Sequence, residues 1–479
     1  MIPVLTLPLN PSENLNPAAL HAFLGQCRDL ARQSGVPKLV SISLEVDALD
    51  PLAVLESIFE ATEFHFYCER PARDFAVAGA EGVVSFEAKG PSRFADCQRF
   101  IDETLRETIA VGDLNKPFAG PHFFCSFGFF DDTATGAEFP SARVFVPRWQ
   151  VARTGDRTMA VANLLVAPEA NLDVLVGRVW GAHGKFNSFD YTEPDFSGDI
   201  VTPASWTVSE AGGAHFFLDS VKTATGLIAE GFFRKIVLAR AQDVEAPSRF
   251  HPLALLNGLR QKFPDCYAFS VANGRGGSFI GASPERLARV DSGTLYTEAL
   301  AGSAPRGRTA SEDAALGNGL LKSDKDLREH RLVIDSIMRR LEPLGIQAKA
   351  ADKPQLVRLS NVQHLHTPIQ ATLPDPIRPL DVIARLHPTP AVGGSPREEA
   401  CAHIRRLEAF ERGLYAGALG WVGPQGNGEF FVGLRSALVD GNKARLYAGA
   451  GIVAGSEPEK EFAETELKFR ALREALLPS

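Results

Sequence analysis

No two of the six cysteines form a Cys-x-x-Cys pair, which leaves no zinc-ribbon or dithiol redox motif. Cys27, Cys68, Cys97, Cys125, Cys266 and Cys401 are scattered and read as reduced, small, buried side chains of a cytoplasmic protein. The chain has no run of 18 apolar residues, so no membrane-spanning segment is expected. Met1 to Pro8 lacks both a charged start and a long apolar stretch, so no signal peptide is expected either. Lys and Arg form no block, and the net charge is −8. A nucleic-acid partner is therefore not expected, and any positive field for an anionic substrate must be local. Internal repeats and low-complexity tracts are also missing.

The 479 residues are 45% hydrophobic and 23% charged, the composition of a packed globular protein. Helical periodicity marks 16–34, 94–109, 215–230, 327–341, 397–411 and 458–477. Alternation marks strands at 38–46, 63–69, 75–79, 83–88, 123–130, 142–150, 158–165, 234–244, 266–272, 278–281, 286–291, 355–359, 364–372, 415–421, 429–439 and 444–450. Strands outnumber helices, and their hairpin-like spacing predicts antiparallel sheets in an α+β fold. Phe123 to Phe130 is aromatic on both faces and reads as a buried central strand, with Gly128 at a close backbone approach. The composition shifts at 184–205 to Gly, Asn, Ser, Asp and Pro, which reads as a linker or long surface loop. It separates an N-terminal part, 1–205, that is expected to share the common core, from a second part, 206–479.

Glu461, Glu464 and Lys468 share one face of the last helix, which follows a strand ending in Gly449 and Gly451. Ser456 and Glu459 have capping-box spacing at its start. Paired carboxylates of this kind either form a solvated stripe or hold a hard divalent metal whose shell an anionic substrate completes. Asp326 and Glu329 open a second acidic helix, where the helix dipole alone is enough to favour acids. Lys235 shares a strand face with Val237 and Ala239, either snorkelling to solvent or buried as a base. Glu285 follows Ser283 and Pro284 at a kink between two strands, either solvated or aimed into a cleft as an acid.

The motifs occur in a fixed order: Arg-Lys-Ile-Val-Leu-Ala-Arg (234–240), Gly-Ala-Ser-Pro-Glu (281–285), Leu-Ala-Gly-Ser (300–303) and Lys-Asp-Leu-Arg-Glu-His (325–330). Val-Gln-His-Leu (362–365), His-Pro-Thr-Pro-Ala-Val-Gly-Gly (387–394), Arg435, Gly-Ala-Gly-Ile-Val (449–453) and Glu-Phe-Ala-Glu-Thr (461–465) follow. This series resembles the chorismate-utilising enzymes over 206–479, and residues 1–205 resemble the long, menaquinone-type isochorismate synthases more loosely. The resemblance implies an anthranilate synthase component I-like fold of packed antiparallel sheets with outer helices. It implies Lys235 as the base that activates water for attack at chorismate C2, and Glu285 as the acid that protonates the departing C4 hydroxyl. It implies Mg²⁺ held by Glu329 and Glu464, with Glu461 and Asp326 completing the shell. Arg435, the backbone near Gly449 and Gly451, Lys468, His364, Tyr415, Ser303 and Ala391 would line the substrate.

Within the resemblance, Ala301 stands where aminodeoxychorismate synthases place a nucleophilic lysine, so water is the expected nucleophile. Ala391 stands where salicylate synthases have threonine, and Ser43-Leu44-Glu45-Val46 does not match the tryptophan-binding motif of anthranilate synthases. The resemblance thus implies a Mg²⁺-dependent, reversible isochorismate synthase of a quinone pathway. Salicylate synthase, a siderophore-pathway isochorismate synthase and a non-catalytic chorismate-binding protein are the alternatives. Chorismate is the expected partner, no glutamine amidotransferase subunit is expected, and the chain is expected to be a monomer or homodimer.

Overall fold

The computed structural model describes residues 16–58, 60–187, 206–358 and 362–475. Alternating burial along the strands builds two sheet layers with a core between them. In strand Ser278–Ser283, Phe279 faces the inter-layer core while Ile280 and Ala282 face the other way. Successive side chains on a strand point to opposite sides, so one strand serves both surfaces. The outward residues pack with Leu255 and Leu259 of helix Pro252–Lys262 and with Phe469 and Leu472 of helix Pro458–Ala475.

The first layer begins at Lys235–Glu245. It runs through Lys443–Val453, Ser436–Asp440, Ser278–Ser283, Tyr267–Ala272 and His65–Arg70. It continues through Phe75–Ala88, Ala142–Thr154, Arg157–Val166 and Lys38–Val46. The second layer shares the far halves of Phe75–Ala88 and Ala142–Thr154. From there it runs through Phe123–Phe127, Ala418–Val422, Gly428–Val432, Arg286–Asp291, Thr294–Pro305 and Val362–Thr372. All of these pairings are antiparallel. Strands of the first 205 residues pair directly with later ones, His65–Arg70 with Tyr267–Ala272 and Phe123–Phe127 with Ala418–Val422. Aromatic side chains fill the space between the layers: the Phe269 and Phe431 rings lie 5.1 Å apart, and Phe66 stacks on Phe124 at 4.6 Å.

Two neighbouring strands change layer at the same place. Ser278–Ser283 pairs with Ser436–Asp440 in the first layer, and Arg286–Asp291 pairs with Gly428–Val432 in the second. The residues between them, including Glu285 and Arg435, sit at this corner. Two backbone hydrogen bonds tie it, Val432 N–H to the Glu285 carbonyl at 3.0 Å and Ala282 N–H to the Arg435 carbonyl at 3.1 Å. Arg435 has φ +47°, a left-handed conformation that breaks the strand read over 429–439 into two.

Other boundaries also shift. The pieces read at 75–79 and 83–88 are one 14-residue strand, irregular between Gly82 and Val84. The helix read to 109 stops at Arg106, and Thr108–Val111 pairs in parallel with Lys38–Val46, as its β-branched residues favour. The strand read over 415–421 lies at Ala418–Val422, after Ala416 turns with φ +57°. Helix Leu172–Asn187 occupies the start of the segment read as a linker, and 188–205 lies outside the described residues. Strand Thr294–Pro305 and helix Ala310–Lys322 carry no expectation from the sequence reading; their small residues, Ala, Gly and Ser, blur the period.

Candidate active site

Strand Lys235–Glu245 forms one wall. Lys235 opens it, and its Nζ lies 2.8 Å from Glu329 Oε1 on helix Asp324–Leu341. The lysine side chain is only 16% exposed, so it is largely buried rather than extended into solvent. Beside it runs strand Lys443–Val453, where Gly449 and Gly451 alternate with buried Ala448, Ala450 and Ile452. A Cβ on Gly451 would stand 3.2 Å from Lys235 Cε, and one on Gly449 would stand 2.8 Å from the Tyr415 hydroxyl. Glycine at 449 and 451 therefore leaves room for the lysine and the phenol, which a methyl group would remove. Tyr415 is buried and stacks on Tyr447 at 5.1 Å.

Helix Pro458–Ala475 brings its charged face to the same strand. Lys468 Nζ donates to the Gly449 carbonyl at 2.7 Å and to Glu464 Oε1 at 2.7 Å. Ser456 Oγ accepts from Val453 N–H and also hydrogen-bonds the Glu461 carboxylate. Burial pushes the Glu461 pKa up, and the nearby Glu464 charge adds to the rise. The same carboxylate feels Lys325, so the starts of the two acidic helices face each other. Asp326 sits against strand Thr294–Pro305, its Cβ 3.3 Å from where a Gly302 Cβ would be.

On that strand, Ser303 Oγ lies 2.8 Å from His364 Nδ1. Burial, then the positive charges of Arg435 and Lys468, hold the His364 pKa down to about 4, so the ring is neutral near pH 7. Arg435 itself reaches toward Cys266, with Nη1 3.8 Å from Sγ. A cavity of about 470 Å³ opens beside Ser303 and Asp326, bounded by Leu316 and Leu320 of helix Ala310–Lys322. A second cleft of similar volume lies elsewhere, at the seam between Arg70, Phe118 and Trp421, and holds none of the residues singled out from the sequence.

Glu285 projects from the corner. Burial pushes its pKa up to about 7. Thr389 Oγ1 donates to Glu285 Oε1 at 3.2 Å and pulls the other way, while the Glu298 charge adds to the rise and Lys235 opposes it. Thr389 belongs to the loop that carries Ala391. The Val237 N–H donates to the Gly393 carbonyl at 3.1 Å and ties that loop to the lysine strand.

A fully buried ion pair lies beneath this junction. Arg412 Nη1 donates to the Val392 carbonyl and Nη2 to the Val237 carbonyl, at 2.9 and 2.8 Å. Glu408 accepts from Arg412 Nε at 2.9 Å and from Ala239 N–H at 2.7 Å. Sequence reasoning missed Thr389, Glu298 and this pair. Thr389 lies inside the 387–394 motif. Glu408 and Arg412 have ion-pair spacing, but they follow helix Arg397–Leu407 and nothing in the sequence shows their burial.

Contacts and charge interactions thus link Lys235, Glu329, Glu285, Tyr415, Gly449, Gly451, Lys468, Glu464, Glu461, Ser303, His364 and Asp326 into one neighbourhood, with Ala391 on the adjoining loop. Arg435 borders it through its charge on His364. Among the described residues, no three His, Cys, Asp or Glu side chains form a ready metal cluster. Glu329 and Glu464 are each turned onto a lysine. The donor set is nonetheless all carboxylate oxygen, which suits a hard divalent cation.

The fold and this site belong together in one known class. Residues 22–477 match the model of the chorismate binding enzyme family, and the chain belongs to that family. Among its relatives, the salicylate biosynthesis isochorismate synthase of Pseudomonas aeruginosa is 36% identical, over 95% of this chain and 92% of its own. Isochorismate synthase MenF of Bacillus subtilis is 32% identical, over 91% and 93%. The solved structure of MenF, the menaquinone-specific isochorismate synthase from Escherichia coli, superposes with a TM-score of 0.77 at 30% identity, covering 95% of this chain and 99% of that one. Anthranilate synthase component I from Streptococcus pneumoniae shares the fold, with a TM-score of 0.69 at 20% identity over 84% of this chain and 93% of that one.

Proposed function

We propose that this chain is an isochorismate synthase that interconverts chorismate and isochorismate. The observation that carries the reading is a part-buried carboxyl, Glu285, whose pKa is raised to about 7 and which feels the charge of the largely buried Lys235. At neutral pH a substantial share of Glu285 holds a proton, as an acid needs when it must protonate a poor leaving group. Lys235 takes a proton from water as its oxygen bonds to C2. Electrons shift through the ring double bonds, and Glu285 gives its proton to the C4 hydroxyl, which leaves as water. One water enters and one leaves, and the reverse reaction exchanges the two roles.

In this reading the Arg435 guanidinium and the N–H groups near Gly449 and Gly451 would bind the enolpyruvyl carboxylate, and neutral His364 with Ser303 would meet its oxygen atoms. Mg²⁺ would be held by Glu329 and Glu464, with Glu461 and Asp326 completing the shell, and would supply positive charge for the ring carboxylate. Helix Pro458–Ala475 positions Lys468 to release Glu464 and meet a substrate carboxylate instead. The pathway we propose is a quinone one, supported by the near full-length match to MenF, and the equally long match to the salicylate biosynthesis isochorismate synthase makes a siderophore pathway the alternative.

The product spectrum from chorismate and Mg²⁺ tests this reading. Isochorismate without pyruvate is expected, because Ala391 stands where salicylate synthases have threonine. Release of pyruvate and salicylate would replace the synthase with a lyase. Lys235→Ala should abolish turnover but keep chorismate binding by calorimetry, and retained turnover would sink the mechanism. Restoration of growth to a menaquinone-requiring strain that lacks its isochorismate synthase tests the pathway.

A further inference from the structure

Glu285 is acted on by two groups of opposite effect, one through a hydrogen bond and one through its charge. From the loop after helix Pro379–Leu386, Thr389 Oγ1 donates to Oε1 at 3.2 Å. A hydroxyl donor stabilises the carboxylate form. On strand Thr294–Pro305, Glu298 acts on the same side chain by its charge and is paired with Arg286, the next residue after Glu285. Its carboxylate accepts from Arg286 Nη2 at 2.9 Å, one residue beyond Glu285, and lies 2.8 Å from His366 Nε2. Thr297 pins the same strand to the kink by donating to the Leu287 carbonyl at 2.8 Å. Glu298 is thus a fixed negative charge behind the acid, and a like charge favours the protonated form.

We propose that Thr389 and Glu298 are positioning residues that set the protonation of Glu285 between them, and that Arg286 and His366 hold Glu298 in place for this task. Among the described residues, Lys235 also acts on Glu285 by its charge and favours the carboxylate. The arrangement makes the acid adjustable in both directions without any change in the groups that meet substrate. The inference rests on Glu285 being the acid of the proposed reaction, yet its protonation can be read without any turnover.

The test is an infrared pH titration of the full-length protein, with the Glu285 carboxyl band identified by its loss in Glu285→Gln. Thr389→Val should raise the Glu285 midpoint, Thr389→Ser should restore it, and Glu298→Gln should lower it, each shift being about one pH unit or less. If Glu298→Gln does not fold, Glu298→Asp withdraws the charge by one methylene and should lower the midpoint by less. Shifts in the same direction, or no shift in either variant, overturn the proposal. The alkaline limb of kcat/KM for chorismate should follow the infrared midpoint. If the infrared midpoints move as stated and the rate profiles do not, the two-sided control of Glu285 stands and its assignment as the acid falls.

Discussion

At Glu285 the cost of burial becomes chemistry. A carboxyl in solution ionises near 4.5, and here burial raises it to about 7. Below about pH 4.5 both the folded and unfolded chains hold the proton, and this group's contribution to stability is fully present. Between about 4.5 and 7 the unfolded chain releases the proton first, so stability contributed by Glu285 is lost as pH rises through that window. Glu285→Gln should therefore melt higher relative to wild type at pH 8 than at pH 5, while turnover is abolished; equal differences at the two pH values would contradict a raised pKa. The carboxylates opposite Lys235 carry a second expectation. Glu464→Gln should weaken Mg²⁺ binding, read by calorimetry on the unliganded protein, on the order of tenfold or more. Unchanged Mg²⁺ affinity would remove Glu464 from the metal site.

At the scale of elements, what matters is how strands and loops are held against one another. Arg412 and Glu408 join strand Lys235–Glu245 to the 387–394 loop from below. Arg412→Leu leaves Glu408 buried without its partner and should cost about 3–5 kcal/mol, seen as a lower urea midpoint. Gly449→Ala should lower kcat/KM on the order of 100-fold by pushing the Tyr415 hydroxyl away, with a smaller loss of stability. This level is also where the sequence was least legible. Long periodic pieces such as Lys38–Val46, Arg286–Asp291 and Pro17–Ser34 are recovered to the residue or nearly so, because one face is plainly apolar. The corner at Arg435 was not legible, because a left-handed residue leaves no mark on hydrophobic alternation. Lys235 and Glu285 were recognisable as candidates only through their motifs; local pattern favoured a solvent-facing side chain for both. Thr389 and Glu298 escaped notice because their roles depend on contacts 104 residues away in one case and on a neighbour's neighbour in the other.

At the scale of the whole molecule, the two sheet layers run through both parts of the chain. Tyr267–Ala272 has His65–Arg70 as one of its two neighbours, and Ala418–Val422 has Phe123–Phe127. A fragment of 206–479 would expose two strand edges and one side of the aromatic core. It should fail to give a cooperative thermal transition when expressed alone, whereas the full chain should unfold in a single step. A sharp transition from the fragment would show that its core is complete without the first part. No helix among the described residues is long and apolar enough to cross a membrane.

The corner that carries Glu285 and Arg435 has a mechanical consequence. Both residues sit where neighbouring strands pass from one layer to the other, and the carbonyl oxygen of each accepts a hydrogen bond within that crossing. If the layers slide or splay, the crossing behaves as the pivot and the walls move around it. The separation between the Glu285 and Arg435 backbones should then change least, and breathing should alter chiefly the reach from that pivot to Lys235 and the last helix. A substrate seated against the pivot would keep one end in register while the far wall closes on it.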